Sequence, residues 1–479
     1  MNLSNKVMLI TYPDSLGSNL QELKEILNSD FKGAIGGIHI LPFFPSSGDR
    51  GFAPLTYQKV DNKFGSWKDI ENLSKDYYLM FDLMINHLSR QSHEFQDFLA
   101  NGNNSKYAKM FIDLDKFWPS ERPNVDDIEK IYKRKDKAPF QTVTLADGTK
   151  RQLWNTFGPE QLDLNLNTDI TRKFLSNSLV AFSQHGASIV RLDAFAYAIK
   201  KIDTNDFFVE PDIWKLLDDL KEQAQRNNLL ILPEIHEHYT LSQKVNENGY
   251  YTYDFALPML VLYTLYSHNP HPLLKWLQES PMYQFTTLDT HDGLGVVDVK
   301  DILSDEQISY TTQQLYKRGS NVKRAYSSAA YNNLDIYQIN TTYYSALGED
   351  DKAYLLARAI QIFAPGIPQV YYVGLLAGKN DLELLEKTKE GRNINRHYYS
   401  NNEVQNQLKR PVVRKLLHLL EFRNECPAFD LDGTISIIEN KDRFSILRSN
   451  ANNSIMAKLE VDLGNNDFEL YLNNQIVSI

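Results

Sequence analysis

Residues 188–193 read Ser-Ile-Val-Arg-Leu-Asp, a short aliphatic run that admits one arginine and stops on an acid. Its hydrophobes fall on both faces of a period-two chain, the pattern of a strand covered on both sides in a parallel sheet. Upstream, Ile170–Phe182 carries apolar residues at helical spacing, and Gly186 follows as a stop. Downstream, Pro211 and Asp212 open a second helical pattern over Ile213–Ala224. The local unit is therefore helix, buried strand ending in an acid, helix.

The same unit recurs along the chain. Short β-rich runs at Val7–Tyr12, Gly37–Pro42, Tyr78–Asn86, Ser188–Phe195, Leu229–Ile235, Thr252–Leu257, Gln284–Asp289 and Pro368–Val373 predict eight strands. Helical spacing recurs at Leu20–Leu27, Trp67–Leu73 and Ala353–Phe363. Eight strands with interleaved helices predict an α/β fold, a (β/α)8 TIM barrel. Two intervals are too long for simple crossovers and read as subdomains inserted at the barrel rim. After a last helix over Pro411–Phe422, short strands at Thr434–Ile438, Phe444–Arg448, Ser454–Val461 and Phe468–Leu472 predict a small C-terminal β domain. The expected organisation is a barrel of residues 1–86, 168–293 and 348–425, an insertion at 87–167, a second at 294–347, and a β domain at 426–479.

Composition narrows the function. Charged residues are 23% and hydrophobic ones 42% of the 479 residues, ordinary for a globular enzyme. A net charge of −10 argues against a nucleic-acid footprint or a polybasic membrane anchor. The single cysteine, Cys426, excludes an internal disulfide and fits a reducing cytoplasm. The N-terminal residues lack a signal-peptide core, and no run of 18 apolar residues occurs. The expected location is cytoplasmic.

A barrel enzyme carries its chemistry at the C-terminal ends of its strands. The third predicted strand ends in Asp82-Leu-Met-Ile-Asn86-His87, the fourth in Arg191-Leu-Asp193, the fifth in Pro233-Glu234, and the seventh in Asp289-Thr290-His291-Asp292. Any one of these acids reads most simply as a helix cap or loop residue. Four strand ends with the same pattern point to a site. Glycosyl transfer needs two carboxyl groups, one at the sugar carbon and one on the departing oxygen. Asp193, Glu234 and Asp292 supply these and a third acid. Arg191, two residues before Asp193, shares its strand face and would keep it ionised. His236 and His238 flank Glu237, but without a helix-borne metal motif they read as hydrogen-bonded loop histidines.

This ordered set resembles the signature regions of glycoside hydrolase family 13, the α-amylase family. The segments PFFPSSGDRGFAP (42–54), RLDAFAYA (191–198), LPEIHEHY (232–239), LDTHDG (288–293), NNLDIYQIN (332–340), PGIPQVYYVG (365–374) and GRNINRHYY (391–399) carry the resemblance to its sucrose-acting phosphorylases. The resemblance implies a retaining double displacement. Glucose passes from sucrose to inorganic phosphate, giving α-D-glucose 1-phosphate and fructose. Asp193 would be the nucleophile, Glu234 the acid and base, and Asp292 the stabiliser of the transition state. The resemblance further implies that Asp49 and Arg392 hold the far hydroxyls of glucose. Phe52 would offer a ring face, and His87 and His291 would bind hydroxyls. Phe157 and Tyr197 would form walls. Arg134, in the basic loop Tyr132-Lys133-Arg134-Lys135, would contact phosphate. Leu334, Asp335, Tyr337 and Gln338 would line the fructose side. Asp335 would also repel a phosphate on fructose. No cofactor and no metal are implied, and a monomer or homodimer remains open. A phosphorylase for a related glucoside, such as phosphorylated sucrose, and an α-glucoside hydrolase are the competing readings. A non-catalytic barrel fits the retained acids less well.

Overall fold

The computed structural model describes residues 3–118, 123–134, 138–322 and 338–479, with the side chains of Asp49, Asn321 and Val322 outside that description. All eight predicted strands are present: β1 (Met8–Thr11), β2 (Gly37–Ile40), β3 (Tyr78–Met84), β4 (Ala187–Asp193), β5 (Leu230–Pro233), β6 (Thr252–Asp254), β7 (Gln284–Thr287) and β8 (Ile367–Tyr371). They form one parallel sheet in the order β6-β7-β8-β1-β2-β3-β4-β5, the cyclic order of a (β/α)8 barrel whose ladder is interrupted between β5 and β6. Every residue of β1, β2, β7 and β8 is buried, polar ones such as His39, Gln284 and Gln369 included, so these strands are covered on both faces.

The described chain forms two compact units, residues 40–235 and residues 3–39, 236–322 and 338–479 taken together. In the first, β3 pairs with β4 so that Asp82 lies opposite Arg191, and β4 pairs with β5. The helix Asp169–Gln184 leads into β4 across Gly186, whose φ of +91° suits glycine and where a Cβ would strike Ser74. The stretch between β3 and that helix has a core of its own. Trp118 stacks on Trp154, with Ile112, Leu114 and Ile131 packed around them. A hairpin of Phe140–Thr144 and Lys150–Trp154 and a ladder of His87–Ser89 with Gln161–Asp163 frame that core.

In the second unit the predicted strand Thr252–Leu257 stops at Asp254. Leu257–Ser267 is instead a helix, buried from Leu257 through Leu265. Asp254 Oδ1 accepts hydrogen bonds from the backbone N–H groups of Ala256 and Leu257 and ends the strand there. A helix that is apolar all round shows no stripe, so its pattern reads as a longer strand. The stretch expected as the second insertion, 294–347, contains the helix Asp305–Lys317, opened by a Ser304–Gln307 capping box. Gly295 pairs with Gln338 in a small antiparallel sheet. The C-terminal sheet has five antiparallel strands, β9 (Thr434–Asn440), β10 (Arg443–Ser449), β11 (Met456–Asp462), β12 (Asp467–Leu472) and β13 (Gln475–Val477). The sequence pattern predicts only the first four; β13 is three residues long and follows a two-residue turn. Among the described residues no helix is long and apolar enough to cross a membrane.

Candidate active site

In the first unit, one guanidinium organises three carboxylates. Arg191 is 3% exposed on β4. Its Nη1 donates to Asp82 Oδ1 and, at 3.0 Å, to Asp193 Oδ1, while Nη2 lies 2.7 Å from Glu234 Oε1. Period-two geometry puts Arg191 and Asp193 on one face of β4, and the register with β3 brings in Asp82. Glu234 follows the last residue of β5, and its Oε2 accepts from the backbone N–H of Ala194 at 3.0 Å. Ala194 sits at φ +53°, a left-handed conformation that costs a non-glycine residue free energy and turns that N–H toward Glu234. Three acids against one arginine leave negative charge in excess where a cationic sugar would be welcomed.

In the same unit, His87 Nε2 and Gln161 Nε2 both donate at 2.9 Å to the carbonyl of Phe52. Phe157 meets the rings of His87 and Tyr197 edge-on, at 5.6 and 5.2 Å between centroids. The Arg134 guanidinium lies 5.8 Å from the centroid of the Tyr197 ring, holding this loop arginine against an aromatic wall. Asp49 is in a short 3-10 turn, and its side chain is outside the described residues.

Sequence reasoning passes over Lys200. Its ammonium is buried and bonds Asp163 Oδ2 at 2.9 Å, Asn86 Oδ1 at 2.7 Å and the carbonyl of Tyr197. Asp163 also accepts from the N–H and hydroxyl of Thr156. One cation thus ties the end of β3, residues 156–163 and the turn after β4. A lysine three residues past Tyr197 gives no sequence signal, because surface lysines look the same.

In the second unit, Asp292 sits among cationic groups. Arg392 Nη1 is 3.2 Å from Oδ1 and His291 Nε2 is 3.5 Å from Oδ2. Burial pushes its carboxyl up, but His291, Arg392, Arg396 and His236 outweigh that and hold it well below the usual carboxylate range. Asp292 is therefore ionised at neutral pH. Asn395 Nδ2 donates to the carbonyls of Thr290 and Asp292, and Arg396 Nε donates to that of His291. Asn395 and Arg396 fall in the 391–399 segment, but the sequence assigns them no role; their contacts are to backbone, which sequence does not display. Gln338 is buried opposite Gly295. Leu334, Asp335 and Tyr337 lie outside the described residues. His238 Nε2 is 2.9 Å from Asp301 Oδ2, as a hydrogen-bonded loop histidine, and His236 stacks on Phe255.

A barrel with acids at the ends of β4, β5 and β7 defines a class of carbohydrate-active enzymes, and the chain belongs to the α-amylase family: the family's catalytic-domain model matches residues 32–413. The individual relatives are narrower in kind. The chain is 58% identical to a sucrose phosphorylase of Streptococcus mutans over the full length of both. It is 48% identical to a sucrose 6(F)-phosphate phosphorylase of Thermoanaerobacterium thermosaccharolyticum, covering 90% of each chain. A crystal structure of sucrose 6F-phosphate phosphorylase from Thermoanaerobacter thermosaccharolyticum aligns over 100% of this chain and 98% of the other, with TM-score 0.95 and 45% identity.

Proposed function

We propose that this chain catalyses the reversible phosphorolysis of sucrose to α-D-glucose 1-phosphate and fructose. The observation that carries the reading is the Arg191 cluster, which holds two carboxylates, Asp193 and Glu234, on the two nitrogens of one guanidinium. The end-to-end similarity to the Streptococcus mutans sucrose phosphorylase supports the substrate pair. Asp193 attacks the glucosyl carbon and forms a covalent β-glucosyl ester, while Glu234 protonates the departing fructosyl oxygen. Phosphate then attacks from the vacated side, with Glu234 accepting its proton, and the ester bond to Asp193 breaks. Asp292, ionised by its cationic neighbours, binds ring hydroxyls and stabilises the oxocarbenium-like transition state.

His87, His291, Arg392 and Asp49 take the glucose hydroxyls, with Phe52, Phe157 and Tyr197 as walls. Arg134 meets the phosphate, and Leu334, Asp335, Tyr337 and Gln338 line the fructose side. The acid at 335 favours plain fructose over a phosphorylated one. The expected barrel, two insertions and β domain give the catalytic frame, and the single cysteine supports a cytoplasmic setting. Incubation with sucrose, with and without inorganic phosphate, tests the reading. Phosphate-dependent glucose 1-phosphate is the expected product. Free glucose released equally fast without phosphate rejects it in favour of hydrolysis.

A further inference from the structure

Six residues beyond Asp292 is a second buried acid that the reaction as described leaves unused. Asp298 is 4% exposed, and its Oδ2 has no hydrogen-bond partner among the described residues. The same oxygen lies 3.7 Å from Nδ1 of His236, within ion-pair range. The imidazole is fixed on its other side by Phe255, stacked at 3.8 Å between centroids and 17° between planes. Phe255 is in turn held by the turn that Asp254 closes, through Ala256, Leu257 and the indole N–H of Trp276. Room for the Asp298 carboxylate exists because residue 295 is glycine: a Cβ there would be driven into Oδ2. His236 adds to the positive surroundings that keep Asp292 ionised.

We propose that Asp298 is a positioning residue, which holds His236 through Nδ1 in the orientation and protonation form from which the imidazole acts on Asp292 and the sugar beside it. The inference rests on the proposed phosphorolysis for its kinetic consequence, but the placement of His236 can be read without any substrate. A carboxylate at ion-pair distance from an imidazole favours the charged ring and draws its Nδ1–H toward itself. Asp298→Asn keeps the shape and removes the charge. Gly295→Ala keeps the acid but displaces it.

The test has two arms on the intact protein. In the first, ¹⁵N-histidine NMR follows the ring nitrogens of His236, assigned by their loss in His236→Gln. Asp298→Asn and Gly295→Ala are each expected to shift these signals while thermal unfolding stays near the parent's. In the second, sucrose phosphorolysis is measured for Asp298→Asn, His236→Gln and the double variant. The first substitution is expected to lower kcat/KM about tenfold. It should add less than about twofold when His236 is already glutamine. Unmoved ring signals overturn the inference, as do losses that multiply in the double variant. Shifted signals in a protein whose parent makes no glucose 1-phosphate uphold the positioning and reject the functional reading alone.

Discussion

Arg191 gives Asp82, Asp193 and Glu234 one counter-charge, yet the proposed chemistry asks different things of the last two. Asp193 must stay ionised, while Glu234 must carry a proton and then lose it. Glu234→Gln is therefore expected to slow sucrose turnover about 10²–10⁴-fold, with a much smaller loss on a fluoride leaving group that needs no proton. Equal losses on sucrose and α-glucosyl fluoride in steady-state assays would remove Glu234 from that role. Arg134 is expected to matter for the acceptor. Arg134→Gln should raise the KM for phosphate about 10- to 100-fold and leave the glucosylation step nearly unchanged, because a forked charge–phosphate contact is worth roughly 1.5–3 kcal/mol. A KM shift confined to sucrose would point elsewhere.

At the scale of elements, legibility follows burial geometry. Strands such as β1, β3 and β4 are visible because, covered on both faces, they are nearly continuous in hydrophobes, and their ends are visible because acids seldom follow such runs. The helix Leu257–Ser267 hides for the same reason reversed, since burial all round erases its period. The acids and Arg191 can be read from strand ends, whereas Arg396, Asn395, Gln161 and Lys200 act through backbone carbonyls or distant partners. Lys200 belongs to three elements at once. Lys200→Met leaves Asp163 buried without its cation and is expected to cost about 3–5 kcal/mol, read as a lowered midpoint in urea unfolding. A variant as stable as the parent would show that the ion pair contributes little.

For the whole molecule, each unit buries an acid that prefers its proton. Burial raises Asp206 to about 6 in one and Asp254 to about 6 in the other, against the hydrogen bonds that lower them. A folded-state value above the unfolded one contributes stability that is fully present below about pH 4 and lost as pH rises through about 6. Replacing both with asparagine should flatten that loss. The parent is expected to gain on the double variant by a few kcal/mol as pH falls from 7 to 4, since each tenfold change in proton affinity is worth about 1.4 kcal/mol. Thermal unfolding across that range measures the difference; parallel curves would place both groups at ordinary values. Asp292 has the opposite sign, remains charged throughout, and is not expected to set the acid limb of activity.

The ammonium of Lys200 has a consequence for how the enzyme lives. A cage of carboxylate, amide and carbonyl oxygens is what a dissolved divalent ion would seek, but here the plug is tethered by a covalent stem. It cannot be diluted away, stripped by a chelator or outbid when mineral supply runs short. The tie between the end of β3, residues 156–163 and the turn after β4 is thereby made by the chain itself, with no dissolved ion in it.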